Sequence, residues 1–105
     1  MTDSPTLERR FHGAMVEIYR RAKDEVGYVA ARFLQMVSEQ GGVATARQLL
    51  ATAAVSDGFV TLWEKGRLDL TVEAHVLYPE FRPLFTEAEI VTARDRLESY
   101  GMQGL

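Results

Sequence analysis

The sequence predicts an all-α fold, with residues 1–105 forming one compact domain of five to six short helices in an orthogonal, bundle-like arrangement. Three observations carry this. Apolar residues recur at steps of three and four along nearly the whole chain. Capping residues and single glycines separate these periodic stretches. No alternating run bounded by turn residues is present.

The first helix is expected to start near Ser4, because Ser4 followed by Pro5 suits a cap and a first turn that needs no proline N–H. Leu7, Phe11, Met15, Ile18, Ala22 and Val26 then fall on one stripe. Arg9, Arg10, Glu17, Arg20, Arg21 and Lys23 occupy the other faces, with Glu17 and Arg21 at the supportive i,i+4 spacing. Gly27 interrupts or ends this helix. The next stretch, residues 28–39, is apolar over most of its circumference, with Arg32, Gln35 and Glu39 as a narrow polar stripe. That pattern predicts the central helix of the domain, stopped by Gly41 and Gly42. A shorter helix over 43–51 follows, turning Val43, Ala46, Leu49 and Leu50 inward.

Ser56 and Asp57 are strong N-cap types ahead of Phe59, Leu62 and Trp63. Lys65 suits the last turn of that helix, and Gly66 is the expected left-handed stop. Asp69 is the expected cap of a further helix through Leu77, which Pro79 ends. Pro79 to Phe85 cannot be regular helix, since Pro79 and Pro83 each restrict the preceding residue. Tyr78, Phe81, Leu84 and Phe85 are expected to pin that loop to the core. Thr86 to Glu89 reads as a capping box, opening a helix that uses Ile90, Ala93, Leu97 and Tyr100 and stops at Gly101. Residues 102–105 are expected to form a loose tail.

Composition narrows the function classes. Apolar residues are 47% and charged residues 26%, which suits a globular core. Cysteine is absent, so disulfides, zinc–thiolate centres and thiol nucleophiles are excluded. No leader pattern and no apolar run long enough to span a bilayer is seen, so a cytoplasmic location without membrane contact is expected. Residues 1–50 hold seven Lys/Arg against six Asp/Glu, and residues 51–105 hold five against nine. Such a balance provides no basic field to draw the protein to phosphate backbones.

Candidate chemical groups are few. Glu8 and His12 lie one turn apart, but no further His or Cys can complete a metal site. His75 sits in an apolar stretch and reads as a core histidine bonded to a backbone carbonyl. Asp69 and Glu73 are also one turn apart, where the helix dipole and capping explain both without catalysis. No G-x-S-x-G and no P-loop occurs. Neither a catalytic set, a metal nor a cofactor is therefore called for, and an enzymatic role ranks third. Residues 43–66 have the cadence of a helix-turn-helix, which makes DNA binding the alternative. Glu64 would face phosphate unfavourably, and Arg47 with Arg67 are too few for the usual backbone contacts. The stripe of Arg9, Arg10, Arg20 and Arg21 is interleaved with Glu17 and Asp24 and reads as a solvated face.

The segments RFLQMVSEQGG, TARQLL, SDGFVTLWEKGRLDLTVEA and PEFRPLFTEAEI with ARDRLESYG span most of positions 32–101. In combination they resemble a family of small bacterial all-helical domains of unknown function. The resemblance implies a single helical domain of bacterial or phage origin and brings no activity, cofactor or site residue with it. It is also compatible with the domain occurring joined to other proteins, which would favour an accessory or interaction role. The leading expectation is a domain that binds a protein partner or self-associates. Its candidate partner-binding residues are Trp63, Arg67, Tyr78 and Phe81, in a stretch richer in large apolar groups than one helix pair needs. Trp63 has a plainer reading too, as a core filler between short helices.

Overall fold

A computed structural model describes residues 4–102 and shows an all-α domain. Six α-helices follow in order: α1 (Ser4–Val26), α2 (Ala31–Gln40), α3 (Gly42–Ala51), α4 (Asp57–Glu64), α5 (Val72–Val76) and α6 (Glu87–Ser99). Two short 3-10 turns, Leu68–Leu70 and Arg82–Leu84, flank α5. No strand occurs among the described residues. Of the expected loose tail, Met102 instead packs on the core and its N–H donates to the Leu97 carbonyl at 3.0 Å, while residues 103–105 and the side chain of the expected cap Ser4 lie outside what is described.

The long helix α1 is built as its stripe requires. Phe11, Met15, Ile18 and Ala22 are buried, while Leu7 and Val26 pack at its two ends. Its outer face is laced by ion pairs: Arg20 with Glu17 and with Asp24, and Arg21 with Glu25 at 2.8 Å. The basic stripe is thus largely neutralised in place, as the interleaved acids implied. Helix α3 crosses α1 closely at Gly42, whose N–H donates to His12 Nδ1 at 3.1 Å. A Cβ at Gly42 would stand 2.8 Å from the His12 Cα, so only glycine permits this approach.

The centre of the domain is not where the periodicity placed it. Helix α2 begins at Ala31 rather than at residue 28, and Val37 is its one buried residue. It is a peripheral helix resting on α1 and α3. The central element is instead the five-residue α5. Every residue from Leu70 to Leu77 is buried, with α6 packed against α5 and α1, α3 and the Arg82–Leu84 turn enclosing the same core. A segment surrounded on all sides has no polar face to reveal its period.

Caps and stops are mostly as expected. Ser56 Oγ accepts from Phe59 N–H at the start of α4. Gly66 adopts φ 71°, and Arg67 N–H closes back on the Leu62 carbonyl at 2.8 Å. Thr86 and Glu89 form the reciprocal capping box of α6. The cap of α5 is a correction. Thr71, not Asp69, accepts from Ala74 N–H, and Asp69 is the exposed residue of the Leu68–Leu70 turn. The loop after Pro79 is pinned to the core by Phe81 and Phe85, whose rings meet Phe11 edge-on at 5.1 and 5.2 Å.

Candidate functional site

The four residues expected to form a partner surface part ways in the fold. Trp63 is 44% exposed, so it is not the core filler. Its indole leans edge-on against Tyr100 at 5.2 Å, and Tyr100 in turn meets the buried Phe59 at 4.9 Å. The core thus props a large, exposed ring at the end of α4. Tyr78 is 41% exposed and lies over Phe81 and His75. Phe81 is only 5% exposed and is removed as a contact residue, since its ring fills the space beside Phe11.

Arg67 is held between two carboxylates, Glu25 at 2.8 Å and Asp69 at 3.0 Å. Those two bonds, Asp69 first, push its guanidinium further up its already basic range and hold Asp69 below its usual value. Arg67 therefore ties α4 to the last turn of α1. Phe81 packs against Phe11 near the opposite end of α1. At 1.5 Å per residue those two anchor points lie about 21 Å apart, so the four residues do not make one patch.

The helix pair α3–α4 keeps little positive charge for phosphate. Arg47 donates to the Leu84 carbonyl at 2.6 Å and lies 3.7 Å from the Glu89 carboxylate. Arg67 is doubly paired, and exposed residues of α4 include Asp57, Trp63 and Glu64.

Of the titratable candidates, Glu8 is exposed while His12 spends its Nδ1 on α3. No group of three or more His, Asp or Glu able to hold a metal occurs among the described residues. His75 is buried, and its Nδ1–H donates to the Thr71 carbonyl at 2.9 Å, as its apolar setting suggested. Burial pushes its imidazole below the usual histidine value. Asp69 and Glu73 do not share a face.

Glu73 is the group the sequence underrated. Its side chain is 4% exposed, and Arg96 Nη1 lies 3.1 Å from its Oε2. The same guanidinium donates to the carbonyls of Leu49 and Thr52 at the C-terminal end of α3. One arginine on α6 therefore neutralises α5 and caps α3. Burial raises the Glu73 carboxyl above its ordinary value despite that partner. A Glu within the apolar run Leu70–Leu77 was the available signal, because a carboxylate there demands a buried cation.

Glu73 also borders a cleft of about 560 Å³. It opens between the C-terminal half of α1, the 28–36 segment, the end of α3 and the first turn of α4. Phe33, Met36, Phe59 and Leu62 contribute apolar wall; Gln48, Tyr19, Tyr28 and Asp57 contribute polar groups. The wide apolar surface of α2, mistaken for that of a central helix, is in part the wall of this cleft. Comparison with family models, with curated proteins and with solved structures finds no match for this chain. No helix among the described residues is long and apolar enough to cross a membrane.

Proposed function

We propose that this chain is a non-enzymatic protein-interaction domain in which Trp63 is the anchor. The observation that carries this reading is an indole 44% exposed yet held by the Tyr100 ring against the core. Such a residue presents a large apolar area at little cost in side-chain entropy, the property that makes Trp a frequent hot spot. The partner is a protein of the same bacterial cytoplasm, or a second copy of the chain; the resemblance of most of residues 32–101 to a small bacterial helical family of unknown function supports that setting.

A photo-crosslinking amino acid at position 63, introduced in producing cells, tests the reading. A discrete adduct, absent when the same group replaces exposed Val91, is the expected result. No adduct in cells, together with a purified protein that stays monomeric at high concentration, overturns it. Titration with duplex DNA at low salt discriminates the helix-turn-helix alternative. A flat curve is expected, and binding that weakens steeply with added salt would favour the alternative instead.

A further inference from the structure

We propose that the cleft bordered by Glu73 is a binding site for an uncharged, mainly apolar small molecule carrying one hydrogen-bonding end. This site is separate from the Trp63 surface, since Trp63 is not among the residues bordering the cleft. Its volume of about 560 Å³ lies within the range that encloses a small organic ligand.

Apolar surface is left over on the cleft side of α2. Phe33 and Met36 are only half-buried, and Val29 at the rim is 54% exposed. Val37, the one buried residue of α2, and one side of Phe33 supply the helix's contact with the core. Phe33 and Met36 thus lie beside an open volume.

The charges around the cleft are largely compensated, which sets the ligand's class. Glu73 has Arg96 behind it at 3.1 Å. Asp57 stands in the first turn of α4, where the helix dipole already favours a carboxylate. Arg32 borders the cleft and also a shallower depression with Gln35 and Glu39 on the outer side of α2. An anion would meet the Asp57 carboxylate, with Glu73 already neutralised by Arg96. A cation would meet Arg32 and the positive ends of α4 and α5, with Glu73 already spoken for. Either would lose hydration that the cleft does not replace.

Polar groups remain to orient a neutral ligand. Gln48 accepts from Gln40 through its carbonyl oxygen at 3.0 Å, leaving its amide N–H groups to donate. The Tyr28 hydroxyl rests near Gly58, and a phenol is protonated at neutral pH, so it too can donate.

Three probes of equal chain length test the class: 1-octanol, octylamine and octanoate, titrated into 15N-labelled protein near pH 7. Octanol should saturate with amide shifts confined to residues 18–22, 28–36, 48–52, 56–62 and 70–73. It should bind at least about tenfold more tightly than either charged probe, the penalty expected for taking an uncompensated charge out of water. Ala31 is exposed at the cleft wall, so Ala31→Trp should fill the mouth and abolish octanol binding while leaving the fold intact. Met36→Trp is the second filler if the first melts early. Shifts scattered over the surface, the absence of saturation, or a charged probe binding as tightly as octanol would each overturn the proposal. Undiminished affinity in a folded filler variant would do so as well. None of these outcomes bears on crosslinking at position 63, so the two readings fail separately.

Discussion

Arg96 Nη1 lies 3.1 Å from Glu73 Oε2, and both side chains are almost wholly removed from water. The pair joins the innermost helix to the last one, and the same guanidinium closes the open carbonyls of α3. Three helices thus depend on one cation.

Removing that cation should be costly. Arg96→Met leaves a buried carboxylate alone and uncaps α3, and should lower unfolding free energy by about 3–5 kcal/mol in urea titrations. Adding Glu73→Gln to it should recover part of the loss, because the unpaired charge is gone. Strictly additive losses would show that the pair is not coupled.

The pH dependence of the same carboxyl has a definite sign. Burial raises Glu73 above 4.5, so from that value upward the folded chain holds a proton the unfolded chain has released. Stability linked to that proton is present below 4.5 and is lost as pH rises through the raised value. Glu25 behaves oppositely. Arg21, and then Arg67, hold it down at about 2, so its contribution is present above 4.5 and is lost as pH falls towards 2. Relative to wild type, Glu73→Gln should therefore gain as pH rises from 4.5, and Glu25→Gln should lose as pH rises from 2 to 5. Urea midpoints across pH 2–7 read both, and parallel curves would contradict the assignment.

Two glycines make a matched contrast. Gly42→Ala drives a methyl into the His12 backbone and should cost about 1–3 kcal/mol by parting α1 from α3. Gly13, inside α1 with nothing within 4 Å of an added Cβ, should gain about 0.5–1 kcal/mol as alanine. Thermal melts of the two variants should shift in opposite directions.

The corrected cap of α5 is equally open to trial. The Thr71 hydroxyl accepts from Ala74 N–H and donates to the Leu68 carbonyl at 2.7 Å. Thr71→Ala should cost about 1–2 kcal/mol. Asp69→Ala touches only a solvent-facing pair with Arg67 and should cost no more than about 1 kcal/mol. The reverse ranking in chemical denaturation would restore Asp69 as the cap.

Elements were legible in the sequence where local chemistry decides them. The stripe of α1, the Ser56 and Thr86 caps and the Gly66 stop each follow from backbone bonds within one or two turns. Residues 28–39 misled because an apolar circumference reads the same whether neighbouring helices or an open cleft lies beside it. The helix before Pro79 was legible from its punctuation, but its central place was not, because burial of Leu70–Leu77 on every side erases the periodicity that marks a face. At the site, no spacing rule links Glu73 to Arg96, which only tertiary packing brings together. Nor does the sequence say that Trp63 stops at the Tyr100 ring instead of entering the core.

The complete enclosure of α5 reverses the usual link between helix length and persistence. Five residues cannot hold a helix alone, so its amides are defended by everything packed around them. In deuterated water, α2, with one buried residue, should surrender its protons through local fraying within minutes. The amides of Ala74 to Leu77 should exchange only when the whole domain opens, making the shortest helix the slowest clock in the molecule.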